Sequence, residues 1–288
     1  MIISASRRTD IPAFFAEWFM NRVREGFVCL RNPFNPRQTS KIVLTPEVVD
    51  CLVFWTKNPA NILPYLEELS GYNFYFQYTL TPYDATLEPG LPPKPLLIEL
   101  FKELSRKLDA NRVIWRYDPI ILSREMPVSF HLTAFAAMAA ELRGATRRCV
   151  ISFLDMYKKC EKNLRCLGIL PFTEKTMCEI AAGFAAIAAK NNMELATCAE
   201  EIDLSSLGIT HGKCIDDKLI SEISGRHISD LKDKTQRPLC GCVASVDIGA
   251  YNTCLHGCLY CYANSNLKAV RKNLAQHDPL SMFLISKD

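Results

Sequence analysis

The stretch CLVFWTKNPANILPYLEEL, residues 51–69, opens with an almost wholly apolar run and closes with apolar residues at helical spacing. An unbroken run of β-branched and aromatic residues suits a strand covered on both faces, so residues 51–56 are predicted as a strand and 60–69 as a helix. Between them lies TKNP, a hydroxyl, a cation and an amide placed where the strand ends. The same unit repeats outward in both directions. Further strands are predicted at 2–6, 74–80, 112–117, 149–154, 194–198 and 243–248, and helices at 12–24, 95–108, 129–142, 173–189, 216–223 and 267–275. Thr173 is the expected N-cap of its helix and Asn191 and Asn192 its stop. Strand and helix in alternation point to an α/β architecture with right-handed crossovers. One domain over 1–288 is expected, with a Cys-rich segment at 198–264 inside it. The stretch CLRNPFNPRQTSKIVLTP interrupts the alternation and reads as a hairpin or a loop excursion.

Of the 288 residues, 49% are hydrophobic and 23% charged, an ordinary globular balance for a chain of (β/α) barrel length. The net charge of +3, from 34 basic and 31 acidic residues, gives no electrostatic case for nucleic acid or membrane, apart from a local patch formed by Arg7, Arg8, Arg31 and Arg37. The start, MIISASRRTD, is unlike a signal peptide, and the alanine-rich stretches are too broken to span a bilayer, so a cytoplasmic location and no membrane partner are expected.

Thirteen cysteines is a high count. Cys29, Cys51, Cys149, Cys160, Cys166 and Cys178 stand singly in apolar or helical surroundings and are expected mostly as small buried hydrophobes. Cys198, Cys214, Cys240, Cys242, Cys254, Cys258 and Cys261 crowd the last third, which favours metal over disulfides. Within CLHGCLYCYAN, residues 254–264, three cysteines follow a C-x3-C-x2-C spacing suited to three corners of a [4Fe–4S] cluster, leaving one iron open. Zinc is the alternative, with Cys258 and Cys261 as one pair and Cys240 and Cys242 as a strained partner. Polar residues also gather where the predicted strands end: Arg7, Arg8 and Asp10; Thr56, Lys57 and Asn58; Thr79, Thr81 and Asp84; Arg116 and Asp118; Ser152 and Asp155; Cys198, Glu200 and Glu201. In parallel α/β barrels such ends converge on the functional face.

The loop, with Cys254, His256, Cys258, Tyr260, Cys261, Tyr262 and Ala263, resembles the cluster segment of radical S-adenosylmethionine (SAM) enzymes of the spore photoproduct lyase-like group. TKNPANILPYLEEL and TLTPYDATLEPGLPP are similar to two further segments of that group, and the whole chain resembles the bacterial and archaeal family designated domain of unknown function 1848. The order differs, because the cluster loop here comes last. The resemblance therefore implies a full or partial TIM-like barrel, circularly permuted so that the strand at 243–248 is first in space and neighbours the strand at 2–6. It implies a [4Fe–4S] cluster on Cys254, Cys258 and Cys261, SAM on the open iron, reductive SAM cleavage to a 5′-deoxyadenosyl radical, an unknown substrate, and a flavodoxin or ferredoxin as electron donor. Lys57 is then expected at the SAM carboxylate. Arg116, Arg8, Thr79 and Ser152 are further cofactor or substrate contacts. The G-G-E segment that holds the methionine amine in such enzymes is missing. His256 is expected as a hydrogen-bonding neighbour of the cluster, Gly257 as the residue that lets the loop wrap tightly, and Asp247 and Asn252 as groups that order it.

Cys198, Cys214, Cys240 and Cys242 form a possible second metal site, for another iron–sulfur cluster or structural zinc, unless Cys198 is a catalytic hydrogen-atom donor or all four are buried thiols. Two other function classes stay open: a non-catalytic iron–sulfur protein for electron transfer or redox sensing, and a zinc-stabilised nucleic-acid-binding module.

Overall fold

A computed structural model describes residues 1–32, 35 and 37–286. Its strands are β1 (Ile2–Ala5), β2 (Phe27–Arg31), β3 (Thr39–Val43), β4 (Cys51–Thr56), β5 (Phe74–Thr79), β6 (Val113–Ile120), β7 (Arg148–Phe153), β8 (Glu194–Thr197), β9 (Thr210–His211) and β10 (Val246–Asp247). Its α-helices are α1 (Ile11–Phe14), α2 (Ala16–Glu25), α3 (Lys94–Leu108), α4 (Val128–Glu141), α5 (Lys158–Leu164), α6 (Glu174–Lys190), α7 (Asp217–Ser224) and α8 (Leu267–Leu274).

Eight strands form one sheet in the order β10-β1-β4-β5-β6-β7-β8-β9, and every neighbouring pair is parallel. The expected α/β class is thus found. From β1 onward the spatial order follows the chain without the reversal that marks a doubly wound sheet. β2 and β3 pair separately as an antiparallel hairpin. The part of that predicted hairpin or loop at positions 33, 34 and 36 lies outside the described residues.

Alternate residues of each strand go to opposite faces, and the two faces are filled differently. Leu52, Phe54, Phe76, Trp115, Tyr117 and Ile151 face the helices in the main core. There Phe135 of α4 stacks on Trp115 and on Phe184 of α6, with ring centroids 4.8 Å and 3.9 Å apart. Truncating such a buried ring to alanine costs about 3–5 kcal/mol. On the other face Cys51, Val53, Tyr75, Ile114 and Val150 pack against Ile215, Leu219 and Ile220, so α7 and its flanks plug the inside of the sheet. Further along this face the side chains turn polar. Tyr75 and Gln77 both donate to the carbonyl of Cys214, at 2.6 Å and 3.0 Å.

Several predicted elements need correction. Residues 60–69 are not an α-helix: a short 3-10 turn at Leu63–Tyr65 sits within a run of i→i+3 turns. Pro64 lacks the N–H that an α-helix would use in its middle, while its fixed φ suits the first turn of a short 3-10 segment. The helix expected at 12–24 breaks at Phe15, whose backbone (φ −135°, ψ 24°) leaves the helical region while its buried ring packs 4.8 Å from His277. The strand expected at 243–248 shrinks to β10. β9 and α5 have no counterpart among the predictions. Thr173 caps α6 as expected, accepting from Thr176 N, and Asn191 ends it. Among the described residues no helix is long and apolar enough to cross a membrane.

Candidate functional site

The C-terminal ends of the parallel strands open onto a cavity of about 400 Å³. The residues expected to hold the cluster, SAM or substrate border it: Lys57 after β4, Thr79 on β5, Arg116 on β6, Ser152 on β7, Cys198 after β8, and Cys254, Cys258 and Cys261 after β10. Cys214, Cys240 and Cys242 border it too. Thr81, Asp84, Glu200 and Glu201 do not line it, although they follow the same strands.

The cysteine loop is held by its neighbours rather than by regular structure. Leu259 N donates to Leu87 O at 3.0 Å, Gly90 N to His256 O at 2.9 Å, and Asn264 Nδ2 to Cys254 O at 2.7 Å. Gly90 must be glycine, because a Cβ there would fall 2.6 Å from Leu255 O and 2.7 Å from His256 O. Gly257 has φ +67°, the left-handed region that glycine enters without steric cost. Asn252, also at positive φ, accepts from Ser265 N and Oγ and closes the loop. Asp247 accepts from Ser4 Oγ (2.8 Å), Ser6 Oγ (2.6 Å) and Arg7 N (2.9 Å), tying β10 to the end of β1.

His256 is buried and its Nε2 lies 2.7 Å from Asp10 Oδ2. The same carboxylate accepts from Lys57 N at 2.8 Å and caps α1 through Ala13 N at 3.0 Å. Three parts of the site thus share one side chain.

Lys57 is not a free cation. Its Nζ lies 2.8 Å from Glu88 Oε1 and 5.4 Å from the centre of the Tyr260 ring. Glu88, with a fully buried side chain, also pairs with Lys94 and accepts from Thr81 Oγ1 at 2.8 Å and from the Tyr260 hydroxyl. Burial alone would raise the Glu88 carboxyl, but the Lys57 and Lys94 ammoniums outweigh it and hold it at about 2. Sequence reasoning passed over Glu88, although it sits in the L-E-P segment. Asp118 is a second such centre. Arg116 and Ser152 both hydrogen-bond to it, and despite burial the adjacent guanidinium keeps its carboxyl below the ordinary value.

Cys198 and Cys214 have sulfurs 3.4 Å apart, and Arg116 Nη1 lies 2.9 Å from the Cys214 sulfur. Cys242 accepts from Ile215 N at 3.3 Å. None of the thirteen cysteines is in a disulfide. Cys51, Cys149 and Cys160 are buried as expected, whereas Cys29 and Cys178 are half-buried and Cys166 is exposed. Among the described residues no three or more His, Cys, Asp or Glu side chains are placed to hold one metal ion. Of the four arginines grouped by sequence as a surface patch, Arg7 and Arg8 border the cavity, over the rings of Trp55 (5.3 Å) and Tyr251 (5.2 Å).

A protein-family model described as Domain of unknown function (DUF1848) matches residues 2–263. The chain belongs to the DUF1848 family. The match runs from β1 to just past the last loop cysteine, so the cavity and the seven clustered cysteines all lie within the family region. Neither curated proteins nor solved structures give a match.

Proposed function

We propose that this DUF1848 member is an iron–sulfur enzyme of the radical SAM type, with a [4Fe–4S] cluster on Cys254, Cys258 and Cys261 and a substrate in the adjoining cavity. The observation that carries this reading is that the three loop cysteines border the same cavity as Lys57, Thr79, Arg116 and Ser152. The donor set fits the group. Three thiolates at C-x3-C-x2-C spacing serve three irons of a cubane and leave the fourth open, whereas a structural zinc takes four protein ligands. When bound, such a cluster would supply the one-electron reduction of SAM on which hydrogen abstraction from a substrate depends. That electron comes from a flavodoxin or ferredoxin.

The chain's own residues bind, orient and exclude water. Lys57 neutralises the SAM carboxylate, with Glu88 and Tyr260 fixing its ammonium at the cavity wall. Asp10 orients His256 and with it the loop. Trp55, Phe153, Tyr157 and Tyr262 line the cavity with apolar surface that keeps water from the reacting atoms. The architecture that goes with this reading is a partial barrel, permuted so that β10 is its first strand. Its support is the all-parallel order running on from β10 through β1 to β9, with β10 at one edge and β9 at the other.

The test is anaerobic purification, counting of iron and sulfide, reduction with dithionite and addition of SAM. Formation of 5′-deoxyadenosine, abolished in Cys258→Ala, is the expected result. Stoichiometric zinc without iron sinks the reading, and a cluster whose spectrum ignores SAM replaces it with an electron carrier.

A further inference from the structure

Cys198 follows β8, Cys214 follows β9, and Cys240 and Cys242 lie in the irregular chain before β10. All four border the cavity, and none belongs to the 254–261 loop. Their thiols form a line. The Cys198 and Cys214 sulfurs touch at 3.4 Å. Cys214 is hydrogen-bonded on its other side to Cys242, and Cys242 in turn to Cys240. Arg116 Nη1 donates to the Cys214 sulfur from 2.9 Å, and Ile215 N to the Cys242 sulfur from 3.3 Å.

Thiols that only fill apolar space are shut away from solvent and unreactive. Here Cys214 and Cys242 are buried, but Cys198 and Cys240 are half-buried at the cavity wall. The two ends of the line differ. At one end the Cys242 thiol and backbone N–H donate to Cys240 and, against burial, hold its thiol at about 7. At the other, the hydrogen bond to Cys214 and burial push the Cys198 thiol well above its ordinary value. Thiolate is therefore available at Cys240. The closest sulfur contact lies at the far end. A tetrahedral zinc with bonds of about 2.3 Å holds two sulfurs about 3.8 Å apart. Cys198 and Cys214 are nearer than that, and a disulfide of about 2.05 Å is a movement of about 1.4 Å away.

We propose that these four cysteines are a thiol–disulfide exchange site, entered at Cys240 and coming to rest as a disulfide between Cys198 and Cys214. The Cys240 thiolate attacks a low-molecular-weight disulfide, forms a mixed disulfide and releases one small thiolate. Cys242 attacks the Cys240 sulfur and releases the other. Cys214 then attacks Cys242 and frees Cys240, and Cys198 attacks Cys214 and frees Cys242. The net change oxidises Cys198 and Cys214 by two electrons and reduces the small disulfide to two thiols, which take up the two protons. Oxidation changes what Arg116 Nη1 meets. Arg116 also holds Asp118, so the redox state of the line reaches the wall of the cavity. This inference does not depend on the chemistry proposed for the loop.

The test treats wild type, Cys240→Ser and Cys198→Ser anaerobically with oxidised glutathione at pH 7. Circular dichroism checks folding and elemental analysis checks for zinc. Acid quenching, alkylation and peptide mass mapping locate the bonds. In wild type a Cys198–Cys214 link is expected, reversed by dithiothreitol. Cys240→Ser is expected to form it at least about fivefold more slowly, because the thiol most ready to ionise is gone. In Cys198→Ser the bond is expected to stop between Cys214 and Cys242. Folded wild type with no link among the four cysteines overturns the inference. So does a link that stays at Cys240–Cys242, or one that forms as fast in Cys240→Ser. Thiols that react only after stoichiometric zinc has been chelated overturn it as well. None of these failures touches the proposal for the loop.

Discussion

His256 Nε2 and Asp10 Oδ2 are 2.7 Å apart across 246 residues of sequence. The imidazole N–H donates to a carboxylate that also receives Lys57 N and Ala13 N, so one side chain joins the cysteine loop, the end of β4 and the start of α1. Asp10→Ala leaves these donors buried and unsatisfied. It is expected to cost about 3 kcal/mol in urea unfolding and to lower bound iron, because the loop loses its anchor. Normal stability and iron content in this variant would falsify the role given to Asp10.

Glu88 makes stability sensitive to acid. Its folded value, about 2, lies below the ordinary 4.5, so its contribution is complete above pH 4.5 and is lost as pH falls towards 2. The difference corresponds to about 3 kcal/mol. Glu88→Gln is expected to lose that much at pH 7 and to flatten the stability profile across this window. An unchanged slope between pH 4.5 and 2 would remove Glu88 as its source.

Glu200 has the opposite sign. Burial raises its carboxyl to about 7, with Asp155 and Asp118 adding repulsion, against the pull of the Phe153 N–H. Its stabilising state is the neutral one, complete below pH 4.5 and lost as pH rises through 7. Glu200→Gln keeps an acceptor for Phe153 N and is expected to match wild type at pH 4.5 and exceed it by about 1–2 kcal/mol at pH 8. Thermal melts at the two pH values decide it.

Two glycines should respond differently to alanine. Gly90→Ala drives a Cβ into the backbone oxygens of Leu255 and His256 and is expected to cost about 2 kcal/mol and most of the loop's iron. Gly71→Ala meets only Pro46 Cγ at an ordinary 3.7 Å and is expected to stay within about 0.5 kcal/mol of wild type. Equal effects would show that the Gly90 contact does not matter.

If Lys57 serves the SAM carboxylate while Lys94 only balances Glu88, Lys57→Met should weaken SAM binding at least about tenfold, or roughly 1.4 kcal/mol. Lys94→Met should lower stability and leave SAM affinity near wild type. Isothermal titration of the reconstituted proteins separates the two; equal affinity losses would contradict the division of labour.

The strands were readable where burial on both faces left an unbroken apolar run, as at Cys51–Thr56, predicted to the residue. β10 was over-read because only Val246 and Asp247 pair with β1, and serine side chains on Asp247 take over the joining. The 60–69 segment carried helical spacing, but Pro64 tipped it into successive turns. Clustering of strand-end residues was legible because parallel strands share a direction. What those residues hold was not. Lys57 looks the same in sequence whether it meets a ligand or Glu88, and nothing local links Glu88 to lysines 31 and 6 positions away. Likewise, Cys198 and Cys214 gave no sign that Arg7 and Arg116 stand beside them.

The pairing of β1 with β10 has a consequence for biosynthesis. Ser4 waits for Asp247, 243 residues further on, so β1 keeps an open edge until translation has reached β10. The cysteine loop follows β10 directly and leans on Leu87 and Gly90, which are already in place when it arrives. The cysteine loop is therefore completed only after β10 has joined β1. A chain stalled before residue 246 presents an exposed edge of β1 that invites aggregation or proteolysis.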